Sequence, residues 1–281
     1  MLKTIKSLAH RLLKNYGLEI RPIQPDNINS VSSFSNLDEQ SSILTYVHQL
    51  TPQSKFCVDI GASDGVSMSN TYTLFRDGWE GLAVEYDAQK FSSLAHSYVK
   101  FSGVNLAKCK VTPVNGCALL EGNQVPEKFG FFSLDIDGYD YFVLQQILSK
   151  FRPSLICAEI NEKIPPPIKF TVNWDPEYVW AADHFYGQSI SQLYILCTQY
   201  QYSMVELHYN NAFLIPEEIN IYPSLTPEEA YTKGYLEQPD RKEKFPWNAN
   251  VEELLGLSPQ EAVDFVNKFF QKYEGKFVCS L

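Results

Sequence analysis

The chain has 281 residues and carries 23 Lys and Arg against 33 Asp and Glu, a formal net charge of −10. That balance excludes the global basic footprint of a nucleic-acid binder. Hydrophobic residues make up 44% and charged residues 20%, the makeup of a folded globular protein rather than a disordered one.

Cys57, Cys109, Cys117, Cys157, Cys197 and Cys279 form no C-x-x-C pair, and several stand in apolar runs. They read as reduced thiols in a cytoplasmic protein. No apolar run approaches the roughly 18 residues of a membrane span.

Residues 1–22 place Leu2, Ile5, Leu8, Leu12 and Leu13 on one helical stripe, with Lys3, Lys6, Arg11, Lys14 and Arg21 around it. This reads as an amphipathic helix packed on a protein surface; weak peripheral contact with a membrane is the alternative. Residues 24–38 are rich in Ser, Asn and Pro and read as a linker. A helix over 38–50 presents Ile43, Leu44, Val47 and Leu50 on one face.

From Lys55 short apolar runs alternate with helical patterns. Strands are expected at 56–60, 81–85, 110–114, 131–136 and 155–160, and helices at 69–77, 88–99 and 141–150. Strands this uniformly apolar imply a parallel sheet covered on both faces. The triple proline of 165–167 breaks the pattern as a rigid loop. A helix over 189–200 and a hairpin of 203–208 with 211–215 follow. Residues 216–250 read as loop with short helices. Ser258-Pro259-Gln260-Glu261 then opens a helix running to Tyr273, with an N-cap, a proline at the first position and an acidic first turn.

The first strand ends in Asp59 and turns through Gly61-Ala62-Ser63-Asp64-Gly65 into a helix. Small residues let backbone approach a ligand, and a helix start offers free N–H groups. The second strand ends at Glu85, twenty-four residues after Gly61, where a carboxylate can accept from both ribose hydroxyls of an adenosine. The dinucleotide pattern G-x-G-x-x-G is not met. Asp64 would repel a pyrophosphate but suits the cationic S-adenosylmethionine (SAM).

This order of strands, turn and acids resembles the class I SAM-dependent methyltransferases. The run Leu134-Asp135-Ile136-Asp137-Gly138-Tyr139-Asp140 is similar to the FkbM-like branch, where the matching strand reads D-x-E-G-x-E. The resemblance covers about residues 40–216. It implies an α/β, Rossmann-like, doubly wound seven-stranded sheet, mostly parallel with an antiparallel C-terminal hairpin strand, plus helical additions at both ends. The division that follows is helix and linker at 1–37, a SAM-binding domain at 38–216 with an insertion at 162–188, and a helical extension at 217–281.

The resemblance further implies that Asp59, Gly61, Ser63 and Gly65 line the methionine part of SAM and that Glu85 holds the ribose. It places Asn115, Gly116 and Cys117 near the adenine, and Asp135 at the methionine amino group or the transfer site. The acceptor is expected to be a small hydroxylated molecule, a sugar or secondary metabolite, methylated on oxygen.

Two mechanisms stay open. Asp137, Glu159 and Asn161 hold Mg²⁺ and acidify a bound hydroxyl, or His184 or an acid such as Asp135 or Asp137 is a direct base. Asp140 serves function or caps the following helix. The dense aromatics Trp174, Tyr178, Trp180, Phe185 and Tyr186 form an acceptor lid or a small satellite core. An NAD-linked oxidoreductase and a non-catalytic binding protein of the same fold remain alternatives.

Overall fold

The computed structural model describes residues 33–52 and 54–281. The expected helix over 1–22 lies outside the described residues, as does most of the linker. Among the described residues no helix is long and apolar enough to cross a membrane.

Helix α1 (Glu39–Leu50) precedes strand β1 (Phe56–Ile60). There follow α2 (Tyr72–Arg76), β2 (Glu80–Glu85), α3 (Ala88–Tyr98), β3 (Val104–Lys108), α4 (Gly116–Gly122), β4 (Phe131–Leu134), α5 (Asp140–Leu148) and β5 (Leu155–Glu159). The chain continues through β6 (Lys169–Val172), α6 (Ile190–Tyr200), β7 (Tyr202–His208) and β8 (Asn211–Pro216). The C-terminal part holds α7 (Pro227–Tyr231), α8 (Arg241–Lys244), α9 (Pro259–Phe269) and β9 (Phe277–Ser280), with short 3₁₀ and π turns between them.

Seven strands form one sheet in the order β3-β2-β1-β4-β5-β8-β7. The first five run parallel, and β8 lies antiparallel between β5 and β7. This is a Rossmann-like doubly wound sheet with one reversed strand. The strand order turns back between β1 and β4, and in such sheets the crevice beyond the carboxyl ends there receives ligands.

Side-chain alternation along the strands assigns the two faces. Val58, Ile60, Phe132, Leu134, Ile156 and Ala158 point to the layer of α5 and α6. Cys57, Phe131, Leu155 and Cys157 point to α1, α2 and α3. Both faces are covered, which is why these strands read as continuous apolar runs.

The third strand lies at Val104–Lys108, earlier than the expected 110–114. As the sheet's edge it is only half-buried, so VNLAK needs no apolar run. The V-T-P-V stretch that resembled a strand is instead the turn into α4. Two further strands went unforeseen: β6 inside the insertion pairs antiparallel with β9 near the C-terminus. Phe170, Val172 and Phe185 form a third core with Val263, Val266 and Phe270 of the α9 region. Residues 33–281 constitute one compact unit. Helix α9 starts as its sequence indicates, with Ser258 N–H and hydroxyl both donating to Glu261 Oε2.

Candidate active site

The carboxyl ends of β1, β2, β4 and β5 open into a cavity of about 390 Å³, within the usual range for small-molecule sites. Gly61 shapes its floor. With φ +94°, a Cβ there would stand 1.7 Å from Asp135 O, so only glycine lets the β1 loop pass the end of β4. Ser63, Met68 and Asp137 also adopt left-handed backbone, with φ of +50°, +57° and +52°, and all three line the cavity. Non-glycine residues held this way cluster at ligand sites.

Glu85 closes the turn. Its Oε2 accepts from Ser63 N at 2.9 Å and its Oε1 from Asp87 N at 2.6 Å. Each oxygen keeps a further lone pair, and the side chain lines the cavity. Asp59 is buried and accepts from the Thr71 hydroxyl at 2.6 Å. Burial, partly offset by that bond, raises its pKa to about 6.

Asp135, Asp137 and Glu159 converge from β4 and β5, with ligand oxygens all within 4.8 Å of one another. The Asp135 carboxylate opens onto the cavity yet is ringed by protein. Desolvation and the neighbouring Asp137 and Asp140 charges push its pKa up to about 8. Desolvation and Asp140 raise Asp137 to about 6. Desolvation and Asp135 drive Glu159 well upward. Glu159 Oε1 accepts from Asn210 Nδ2 at 2.8 Å, while the buried Oε2 has no partner among the described residues.

Several expected site residues stand elsewhere. Gly65 has φ +79° and lies under Leu94 and Tyr98, whose hydroxyl donates to its carbonyl; it shapes the loop without lining the cavity. Asp64 accepts from Val66 N and Ser67 N, so it braces the loop rather than facing a ligand.

Asn115, Gly116 and Cys117 do not line the cavity. Asn115 bonds Thr112 N and Lys110 O, and Cys117 N donates to Gln146 Oε1 as α4 docks on α5. Because β3 ends early, Cys109, Lys110 and Val111 occupy the position beyond it.

Asn161 is buried and does not line the cavity; its Nδ2 donates to His184 O and Tyr186 O, both at 2.9 Å, and its buried Oδ1 has no partner among the described residues. His184 faces the C-terminal extension. Its Nε2 lies 3.0 Å from Asn250 Oδ1 and its ring sits against Phe269. Neither residue lines the cavity. Asp140 is a brace: its two oxygens accept from Ile136 N and Gly138 N.

The aromatics of the insertion split. Tyr178 and Trp180, with Val179 between them, line the cavity mouth. Phe185 stacks on Tyr273 in the third core, Trp174 lies against Tyr139, and Tyr186 is buried on Glu162. Segment 173–187 is pinned over the cavity by Lys110, whose Nζ donates to Pro176 O at 2.7 Å and Tyr178 O at 2.9 Å. The Tyr178 hydroxyl lies 2.7 Å from Phe185 O and 3.1 Å from Asp137 O.

Sequence reasoning missed Asn36, Glu39, Asn70, Lys110, Asn210 and Asn211, all of which line the cavity. The Asn210-Asn211 pair carries only a turn signal, and Asn36 and Glu39 stand beside a linker. Their place in the cavity comes from α1, which Tyr46 and Ser42 fasten to Glu206 of β7.

No protein-family model matches the chain, and no curated protein matches it. Solved structures similar to it include the N-terminal domain of EvdMO1 with S-adenosylhomocysteine (SAH) bound, 12% identical, covering 75% of this chain and 96% of that one with a TM-score of 0.46. An O-methyltransferase from Bacillus cereus in complex with SAH is 13% identical over 73% of this chain and 86% of its own, with a TM-score of 0.43. A putative O-methyltransferase from Klebsiella pneumoniae is 14% identical over 75% and 89%, with a TM-score of 0.42. These likenesses are loose ones of overall shape.

Proposed function

We propose that the chain is a SAM-dependent methyltransferase acting on a hydroxyl oxygen of a small molecule. The observation that carries this reading is Glu85. It ends β2 beside the switch point, lines the cavity, and braces the backbone of the β1 loop through Ser63 while keeping lone pairs for a ribose diol. The reversed strand β8 supports the same reading, because a dinucleotide sheet continues parallel beyond β5. The acids of β1 and β4, Asp59 and Asp135, suit the cationic amino acid end of SAM.

Bound SAM supplies an electrophilic methyl group on sulfur. Transfer breaks the S–CH₃ bond and forms O–CH₃, and the hydroxyl proton goes to a carboxylate. Asp137 fits that role: it lines the cavity, burial and Asp140 raise its pKa and so make it a stronger base than an ordinary carboxylate, and the backbone around it is held by Asp140 and Tyr178. Positioning does the rest, because in-line displacement needs mainly an oriented acceptor.

A divalent cation is a second reading, favoured by the convergence of Asp135, Asp137 and Glu159. Three carboxylate oxygens fit a hard cation such as Mg²⁺, and like-charge crowding among them is what a cation relieves. Asp135 then takes the place expected for Asn161. Titration with MnCl₂ that stabilises the wild type and not Asp137→Asn supports this; no shift at millimolar metal excludes it.

Calorimetry with SAH tests the main reading. Absence of binding at millimolar SAH, or tighter binding of NADH than of SAH, overturns it. A non-catalytic binding protein of this fold is identified by SAH binding without methyl transfer to any hydroxylated acceptor.

A further inference from the structure

Resting on the methyltransferase reading, we infer that the half of the cavity beside β5 and β8 is a subsite for an uncharged polyhydroxylated acceptor, a sugar ring read through its hydroxyls by Asn70, Asn210, Asn211 and Glu39 and covered by Trp180.

The sheet order divides the cavity. Lys90 on α3 and Lys110 after β3 stand on the β2–β3 side, where Glu85 and Tyr86 are. The other side is built by Glu159 of β5, the Asn210-Asn211 turn into β8, Asn70 of the loop before α2, and Asn36 with Glu39 at the start of α1. Among the described lining residues there is no Lys, Arg or His on that side. A phosphate or carboxylate on the acceptor would lie among acids with no cation to meet it.

The hydrogen-bonding pattern argues against an amine as well. The acids of this wall are not bare: Asn211 Nδ2 donates to Glu39 Oε1 at 2.9 Å, Leu37 N to Glu39 Oε2 at 2.8 Å, and Asn210 Nδ2 to Glu159 Oε1 at 2.8 Å. The buried Glu159 Oε2 has no partner among the described residues. Asn70 Nδ2 is turned to Ser133 Oγ at 3.3 Å and Cys157 Sγ at 3.7 Å, and Asn211 Nδ2 also reaches Asn210 Oδ1 at 3.5 Å, so the wall presents the carboxamide oxygens of Asn70 and Asn210 beside the second N–H of Asn210, a mix of acceptors and a donor that hydroxyls can meet.

A flat apolar or phenolic acceptor would leave those groups unpaired, and sites built to bond a hydroxyl reject analogues lacking it. Trp180 is 39% exposed at the mouth with its Nε1 held on Asp183 O at 2.8 Å. Its ring offers an apolar face for the C–H side of a sugar.

Radiolabelled methyl transfer from SAM tests the inference after SAH binding has been measured on the same protein. The probes are neutral methyl glycosides, the matching sugar 6-phosphates, catechol and cadaverine. The expected result is label on a neutral glycoside, with the phosphates poorer by about 100-fold or more in kcat/KM. Trp180→Ala and Asn36→Ala, both exposed positions tolerant of change, raise the glycoside KM about tenfold while the SAH Kd stays within twofold. Asn210→Leu does so more strongly.

Label on catechol, cadaverine or the phosphates in preference to glycosides overturns the inference. So does SAH binding with no glycoside methylated, or an unchanged KM in both Trp180→Ala and Asn36→Ala. Failure to bind SAH removes the underlying reading itself, and the subsite assignment with it.

Discussion

Replacing Glu85 with Gln separates the two tasks this residue performs. The carboxylate takes N–H bonds from Ser63 and Asp87 on its two oxygens. A carboxamide offers one oxygen, so one of these N–H groups is left facing an NH₂ donor. An unsatisfied amide in partly buried surroundings costs about 1–3 kcal/mol. In a protein of this size that lowers Tm by roughly 2–12 °C.

The ribose effect is separate. Each hydroxyl bonded to a charged acceptor is worth about 1.5–3 kcal/mol, so losing one weakens SAH by roughly 10- to 100-fold. Differential scanning calorimetry reads the first effect and titration calorimetry the second, at a temperature where the variant is fully folded. A fall in Tm with an SAH Kd within twofold of wild type would refute the reasoning. Glu85 would then be a brace of the β1 loop only, and the placement of adenosine beside β2 would go with it.

Gly61→Ala forces a Cβ onto Asp135 O and an L side chain into left-handed backbone; urea unfolding is expected to show a loss of about 3 kcal/mol or more, with SAH binding abolished. Asp59, Asp135 and Asp137 have folded-state pKa values of about 6, 8 and 6, raised above about 3.9 in the unfolded chain. Their stabilising protons are present below pH 4 and lost as pH rises through those values, so the ligand-free Tm gap between Asp135→Asn and wild type shifts in the variant's favour from pH 6 to 8; a gap that is flat with pH refutes the assignment. Lys110→Met removes the two bonds to Pro176 O and Tyr178 O. Hydrogen exchange is expected to quicken across residues 175–182 with Tm changed by less than about 2 °C, and unaltered exchange there shows that the clamp does not hold the segment.

The sheet was legible because its signal is local. Phe131–Leu134 and Leu155–Glu159 are buried on both faces, and burial of that kind writes an uninterrupted apolar run. The turn at Gly61 and the acid at Glu85 were legible because the close pass of the β1 loop over Asp135 O demands glycine, and a carboxylate at the end of β2 holds that loop through Ser63 N. Edge strand β3 was misplaced because one face of it needs no apolar residue, and the error put the expected adenine contacts at 115–117, off the cavity that Cys109, Lys110 and Val111 line. The β6–β9 pair was invisible because Lys169–Val172 and Phe277–Ser280 are four-residue strands from distant parts of the chain, each with an unremarkable pattern. Asn161, just after β5, and His184, in the insertion, misled because a polar residue reads the same in sequence whether it faces a cavity or, as here, bonds neighbouring groups; only the fold decides.

The two halves of the cavity differ in what holds them. Asp59 and Glu85 sit on strands of the main sheet, and Gly61 directly follows β1, all positioned by main-chain ladders. The wall carrying Tyr178 and Trp180 is held from outside that sheet: Asp183 accepts from Lys272 Nζ and the Tyr273 hydroxyl, Phe185 stacks on Tyr273, and β6 pairs with β9. Glu162, next to the Asn161 that pins this segment, is itself bound by Asn248 and by Tyr231 through its carbonyl. The C-terminal residues are therefore structural members of the acceptor side without touching the cavity. On the proposed reading, cofactor recognition and the carboxamide wall lie on the main sheet and α1, whereas the Tyr178–Trp180 cover over the acceptor depends on contacts that exist only once residues near the C-terminus have closed over the insertion. Substitutions at Tyr273 or Asn248 should accordingly alter acceptor KM before they alter SAH affinity.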